Sequence, residues 1–225
     1  AEMAVQETGF GNAEDKTAKN LFASQRVAEA VRGMRTVGVL REVPEKKLWE
    51  IGVPVGVIAG IIPSTNPTST VINNSISMIA AGNAVVFNPH PAAKHASQEA
   101  MRLMVEAIVS VGGPDTLITT VKEPTLESGQ AIMTHPDIPL LSITGGEAVV
   151  KVAMKTGKKV IAAGPGNPPE RRRSAPVRAT RPSSWTIPPT SPRRPGALWM
   201  ARALITTCFA SPKRRFLPLQ AFSTA

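Results

Sequence analysis

Short apolar runs alternate with longer stretches of helical spacing through residues 1–169 of the chain. Val55, Val57, Ile58, Ile61 and Ile62 form a near-continuous apolar run, the pattern of a parallel strand covered on both faces. Pro63-Ser64-Thr65-Asn66-Pro67 stops that strand. Thr68 or Ser69 is placed to cap a helix carrying Val71, Ile72, Ile76, Ile79 and Ala80, and Gly82-Asn83 ends it. Ala84-Val85-Val86-Phe87 is a second buried strand, with Asn88-Pro89-His90-Pro91 as the turn beyond it. Ala92 to Val111 then reads as an amphipathic helix stopped by Gly112-Gly113-Pro114. Leu117 to Val121 is a strand, and Thr125 to Thr134 a helix that Thr125 can cap. Leu140 to Ile143 is a strand, Glu147 to about Thr156 a helix, and Lys159 to Ala162 a final strand.

Upstream, residues 1–36 read as mostly helical, with apolar residues near helical spacing from Lys16 to Arg32. Thr36 to Leu40 and Leu48 to Val53, split by Pro44-Glu45-Lys46, predict a hairpin ahead of the sheet. Strands alternating with helices at this spacing predict an α/β fold: right-handed βαβ units in an open parallel sheet with flanking helices. In such a sheet, ligands bind at the carboxyl ends of the strands. The turns after Ile62 and Phe87 sit at such ends, so this unit reads as a site and not only as a core.

Charge changes the picture at one place. Of 26 basic and 16 acidic residues, 11 basic and one acidic fall in residues 170–225, leaving 15 of each in residues 1–169. The body is neutral, and the whole net charge of +10 belongs to a Pro/Arg/Ser-rich tail with the composition of disorder. The chain therefore divides at about Pro169–Glu170. The tail's cations suit nucleic acid, but no aromatic platform or helix-turn-helix accompanies them. The single cysteine, Cys208, excludes an internal disulfide framework and fits a reducing compartment. No apolar run approaches the length of a membrane span, and the opening residues start abruptly inside a helical pattern, as a truncated chain would.

Few residues outside the turns suggest chemistry. Glu7, Glu14 and Asp15 show no pairing suited to acid–base work. His95 and His135 fall on predicted helices, facing solvent, and no metal-ligand spacing occurs. Asn66 offers a side-chain amide that can donate to a developing oxyanion, or merely close its turn. His90 can contact a ribose or adenine, or stand as a surface histidine. Thr144-Gly145-Gly146 ends a strand and opens a helix, where backbone amides and the helix dipole favour a phosphate, or a tight βα turn is all that is meant. Gly164 to Pro169 is a glycine–proline loop with free amides, or a chain reversal.

Together these segments resemble the aldehyde dehydrogenase superfamily, and within it the CoA-acylating branch that handles acetaldehyde and propionaldehyde. The residues that carry the resemblance are Glu7-Thr8-Gly9-Phe10-Gly11, Glu14-Asp15-Lys16, Lys19-Asn20, Pro54-Val55-Gly56-Val57, Pro63 to Thr70, Asn83 to Phe87, Pro89-His90-Pro91, Thr144-Gly145-Gly146 and Gly164 to Pro169. They run through residues 1–169 in one register. The resemblance implies a Rossmann-like NAD-binding domain and the reaction aldehyde + CoA + NAD⁺ to acyl-CoA + NADH, through a cysteine thioester. It implies that Asn66 is the oxyanion-hole asparagine. It also implies that Ile62, Pro63, Ser64, Thr65, Asn88, Pro89, His90, Pro91, Thr144, Gly145, Gly146, Val149, Gly164 and Gly166 line the NAD site. Implied partners are a small aldehyde, NAD and coenzyme A, with neither membrane nor nucleic acid. A homo-oligomer in the bacterial cytoplasm, or in a bacterial microcompartment, is the implied setting.

Where the family continues to its nucleophilic cysteine, the tail departs from it. Read with the last base of each codon and the first two of the next, Met200 to Ala210 permits Gly-Ala-Ser-Phe-Asp-Asn-Asn-Val-Leu-Cys. Ala175 to Trp185 likewise permits Ala-Gly-Ala-Gly-Asn-Pro-Pro-Val-Val-Val. The tail thus reads as a shifted-frame translation of the family's own segment. The nucleophile's codon would span Phe209 and Ala210, so Cys208 is not its equivalent. The chain is expected to be a catalytically inactive fragment that retains, at most, dinucleotide binding.

Overall fold

The computed structural model describes residues 1–163. Gly164, Gly166, Cys208 and the division near residue 169 lie outside the described residues. The α/β pattern holds. Three helical segments come first: α1 (Glu2–Thr8), α2 (Ala13–Leu21) and α3 (Val27–Val31), with a π-helical turn, Phe22–Arg26, joining the last two. A hairpin follows, β1 (Gly38–Val43) antiparallel to β2 (Leu48–Gly52). Its turn is the predicted Pro44-Glu45-Lys46, closed by Lys47 at φ 50°.

The body is β3 (Val57–Ile62), α4 (Pro67–Ala80), β4 (Ala84–Pro89), α5 (Lys94–Ser110), β5 (Ile118–Thr120), α6 (Leu126–Thr134), β6 (Leu140–Thr144), α7 (Glu147–Met154) and β7 (Lys159–Ala163). The five strands from β3 onward form one parallel sheet in the order β5-β4-β3-β6-β7. The chain winds outward from β3 to β5, then returns to the other side of β3 and winds the opposite way. The order reverses between β3 and β6, and the carboxyl ends of those two strands flank the crevice such reversals create.

Strand periodicity sorts the core into two layers. Ile58, Ile62, Val85, Phe87 and Leu140 pack with Val71 and Met78 of α4 and with Ala100 and Met101 of α5. Ala59, Ile61, Leu141 and Ile143 face the other way, onto Met133 of α6 and Ala153 of α7. Each fully buried Ile, Leu, Phe or Met contributes about 1.5–3 kcal/mol. Gly60 sits between Ile58 and Ile62, opposite Phe87 in the β3–β4 register. A Cβ there would lie 2.4 Å from Phe87 Cδ1, so this glycine is the space the ring occupies.

Besides shifts of one to three residues, of which β1 (Gly38–Val43, read as Thr36 to Leu40) is the largest, three boundaries beside prolines differ from the sequence reading. The helix after β3 starts at Pro67, with Asn66 as its N-cap, and neither Thr68 nor Ser69 caps it. Proline suits the first helical position because its missing N–H would be unpaired there anyway. Asn88 and Pro89 belong to β4 and not to the turn, which begins at His90. Pro89 has no N–H to give, and His90 N resumes the ladder by donating to the Ile62 carbonyl at 3.0 Å. His135 is not helical. It is the C-cap of α6 with ψ 128°, because Pro136 drives the preceding residue to extended backbone.

Candidate functional site

Parallel register lines up the predicted turns along one edge. Ile62 pairs with Pro89, Ile61 with Ile143, and Thr144 with Ala163. The turns that begin at His90, Pro63 and Gly145 therefore leave neighbouring strand ends. At about 4.8 Å per strand, the row from β4 through β3 and β6 to β7 spans roughly 14 Å. Sequence-predicted residues from three separate segments are thus brought to one edge, on both sides of the β3/β6 reversal.

Within that row the residues differ in availability. Ile62 is buried, Pro63 and Ser64 are half-buried and Thr65 is exposed. Asn88 is buried at 6 % exposure, and its Oδ1 accepts from Ser128 Oγ at 2.7 Å. Ser128 also completes a capping box with Thr125 at the start of α6. Gly129 on the same helix leaves room for the Asn88 amide, since a Cβ there would lie 3.2 Å from Nδ2. Asn88 is a floor beneath the turn, and His90 and Pro91 are its exposed surface. His90 Nδ1 accepts from Ala92 N at 3.1 Å, which fixes the ring against the backbone.

On the β6 side, Gly145 N donates to the Ala163 carbonyl at 3.2 Å. A Cβ on Gly145 would stand 2.9 Å from Val149 Cγ1, so this glycine makes room for the half-buried Val149 of the first turn of α7. Gly146 is different. It is the exposed N-cap of α7, and a Cβ there would meet nothing within 4 Å. Neither glycine has positive φ. Thr144 Oγ1 is buried and has no hydrogen-bond partner in the described residues.

Asn66 lies at the head of α4 in the centre of the row. An asparagine at an N-cap ordinarily turns its oxygen onto the second or third helical amide. Asn66 makes no such bond. Its Oδ1 instead accepts from Lys19 Nζ at 3.2 Å, and its Nδ2 has only a 3.4 Å contact to Thr65 Oγ1. Lys16, 6 % exposed, donates from Nζ to the Thr65 carbonyl at 2.9 Å. Burial, and the neighbouring Lys19 charge after it, push the Lys16 ammonium below its usual pKa. Thr68 Oγ1 donates to Asn20 Oδ1 at 2.8 Å. Lys16, Lys19 and Asn20 thus form one face of α2 laid over residues 65–68. The sequence reading cited these three residues only for resemblance. Their i, i+3, i+4 spacing was the available signal for a shared helical face.

A second contact missed in the sequence fastens α1 to the same end of the fold. The Glu7 carboxylate accepts from His95 N at 2.9 Å and from Ala96 N at 2.8 Å, closing the amino end of α5. A cavity of about 330 Å³ lies elsewhere, lined by Val57, Val86, Ala131, Ile132, His135, Asp137 and Ile138. Val57 opens β3, so this cavity faces the amino end of the sheet, away from the row of turns. Among the described residues, no helix is long and apolar enough to cross a membrane.

Residues 3–169 match the aldehyde dehydrogenase family. The acetylating acetaldehyde dehydrogenase EutE of Escherichia coli is 52 % identical over 176 residues, covering 75 % of this chain and 36 % of that protein. The CoA-propanoylating propanal dehydrogenase of Salmonella typhimurium is 47 % identical over 169 residues, covering 75 % and 36 %. Among solved structures, an acetylating aldehyde dehydrogenase from Geobacillus thermoglucosidasius superposes with TM-score 0.72 at 48 % identity, covering 73 % of this chain and 36 % of that one. A propionaldehyde dehydrogenase from Rhodopseudomonas palustris, solved with propionyl-CoA, superposes with TM-score 0.63 at 41 % identity, covering 74 % and 36 %. The chain spans about a third of the length of these relatives. With the family matched across most of its residues, and acylating enzymes among both its sequence relatives and the solved structures that resemble it, this chain belongs to the aldehyde dehydrogenase family.

Proposed function

We propose that the chain carries the NAD-binding part of a CoA-acylating aldehyde dehydrogenase, an oxidoreductase that converts a short-chain aldehyde, CoA and NAD⁺ to acyl-CoA and NADH. The observation that supports this most is the row of turns at the carboxyl edge, with Asn66 and Thr144–Gly146 on either side of the strand-order reversal. The residues present fit a dinucleotide. Gly146 is open above its Cα, the α7 amides begin there, and Thr144 Oγ1 lacks a partner among the described residues. A pyrophosphate at this helix start would meet backbone N–H groups and the positive end of the dipole. His90 and Pro91 would meet the adenosine end, with Asn88 bracing them from below. Bound there, the nicotinamide supplies the hydride acceptor.

In this reading Asn66 Nδ2 donates to the oxygen of the substrate carbonyl as a thiolate adds to it. A preorganised donor of this kind is worth roughly 10²–10³ in kcat. The thiolate is not assigned to Cys208. Residues 170–225 are read as the shifted-frame product of the segment that carries it, so the chain as given binds dinucleotide without turning over aldehyde. One solved relative, from Clostridium phytofermentans, belongs to a fucose-utilisation bacterial microcompartment. We extend a bacterial cytoplasmic or microcompartment setting to this chain as part of the same proposal.

Calorimetric titration of the 225-residue chain with NAD⁺ tests the binding half: heat of binding is expected, and none at millimolar cofactor overturns it. Mixing the chain with NAD⁺, CoA and propionaldehyde tests the other half: no NADH is expected, and its formation would assign a nucleophile within this chain.

A further inference from the structure

We propose that Lys19 is a positioning residue for Asn66: its ammonium takes the amide oxygen, so that Nδ2, which makes only a long 3.4 Å bond to Thr65 Oγ1, is the atom left to donate to a substrate oxygen. The proposal rests on the reading of Asn66 as the oxyanion donor. An ammonium only donates hydrogen bonds, so the Asn66 atom 3.2 Å from Lys19 Nζ is the carbonyl oxygen. Left to itself, an N-cap asparagine gives that oxygen to its own helix. Asn66 does not, although it is the N-cap of α4. Lys19 thus competes with the helix for the oxygen and diverts it. The consequence is chemical as well as geometric. An amide whose oxygen is bound by a cation is a stronger N–H donor. An amide turned the other way would present an oxygen to a developing oxyanion and repel it.

The rest of the α2 face makes Lys19 reach the right place. Lys16 Nζ holds the Thr65 carbonyl and Asn20 holds the Thr68 hydroxyl, bracketing Asn66 in sequence. Lys19 itself is exposed and is the one member of the three that hydrogen-bonds the Asn66 side chain. Losing it frees Asn66 to cap α4. A positioning lysine therefore has an unusual signature: its removal leaves stability unchanged or improved while the amide turns away.

The test uses the ¹⁵N-labelled 225-residue chain, with the Asn66 side-chain amide assigned by its loss in Asn66→Ala. Lys19→Met is expected to shift both amide protons upfield with an unchanged or higher urea midpoint. Lys19→Arg, which keeps a cationic donor, is expected to restore the wild-type positions. Unmoved Asn66 resonances in Lys19→Met overturn the proposal, as does a fall in the midpoint, which would mark a structural role. For catalysis, residues 3–163 are grafted over the matched segment of the Escherichia coli acetylating enzyme, which supplies the second half. There Asn66→Ala is expected to lower kcat about 10²-fold. Lys19→Met is expected to lower it about 10-fold at unchanged KM for NAD⁺ and CoA, and to add nothing to Asn66→Ala. If Asn66→Ala lowers kcat and Lys19→Met does not, Lys19 is no positioning residue. If Asn66→Ala is harmless, the oxyanion reading fails, and the amide resonances still decide what Lys19 does to Asn66.

Discussion

Gly60→Ala adds one methyl at the centre of the sheet, directly beneath the turn that carries Asn66. The new Cβ would lie 2.4 Å from Phe87 Cδ1 and 2.5 Å from Cε1, where carbon atoms settle at about 3.5–4.0 Å. The ring must retreat by more than 1 Å. It is fully buried in one cluster with Ile58, Ile62, Val71, Met78 and Met101. Overpacking of this kind costs about 1–3 kcal/mol. Replacing glycine inside a strand recovers about 0.5–1 kcal/mol of unfolded-state entropy. The expected net loss is about 1 kcal/mol, near 0.5 M in urea midpoint for an m-value of about 2 kcal/mol/M. Phe87→Leu removes the clashing ring atoms at a cost of its own, on the order of 1–2 kcal/mol. In that background Gly60→Ala is expected to be neutral or to stabilise by up to about 0.5 kcal/mol, a coupling of about 1 kcal/mol or more between directly opposed residues. Urea titrations of the four variants, followed by far-UV circular dichroism, measure it. Equal costs for Gly60→Ala in both backgrounds would show that the ring is not what demands glycine.

Glu7→Ala leaves two amides at the amino end of α5 without their acceptor, one of them on buried Ala96, and is expected to cost about 2 kcal/mol by urea unfolding. Glu7→Gln, which keeps one acceptor and loses the charge at the helix start, is expected to cost about half as much. Asn83→Ala removes the acceptor for Val55 N and Gly56 N and the donor to the Met78 and Ala81 carbonyls, at a site 1 % exposed. The expected loss is about 2–4 kcal/mol, and a midpoint within error of wild type would refute it. Lys16 is buried, and its ammonium pKa is pushed below the usual lysine value, first by desolvation and then by the neighbouring Lys19 charge. Between its folded pKa and that value the unfolded chain binds the extra proton, so stability rises with pH in this window. Urea midpoints taken up to about pH 10 should rise for wild type and rise less for Lys16→Met.

Every strand and helix of the parallel sheet was legible because its apolar residues are sorted by burial on two faces, and proline or glycine marks nearly every end. Three misplaced boundaries share a cause. At Asn66-Pro67, Asn88-Pro89 and His135-Pro136, an asparagine or histidine stands before a proline, and all three look alike in sequence. One opens a helix at the proline, one continues a strand through it, and one ends a helix ahead of it. Pro67 and Pro89 are both buried, while Pro136 is exposed. Tertiary packing, which local pattern does not contain, decides among them.

The candidate site was legible as four turns but not as an arrangement. Which turns become neighbours depends on strand order, and the order β5-β4-β3-β6-β7 follows from α6 returning the chain across β3, a choice that no residue of α6 announces. The same limit hid Glu7 and Lys19. Each acts on residues more than forty positions away, and each looks in sequence like an ordinary charge on a solvated helix. Both belong to segments that carry the family resemblance, which does not itself say what either does. The structure supplies a physical reason, since both belong to helices that precede the sheet and grip its carboxyl edge. Glu7 closes the start of the helix after β4, and the α2 face holds the start of the helix after β3. The leading helices are therefore part of the site's construction. Changes in them should alter the turns that face the crevice before they alter the sheet below.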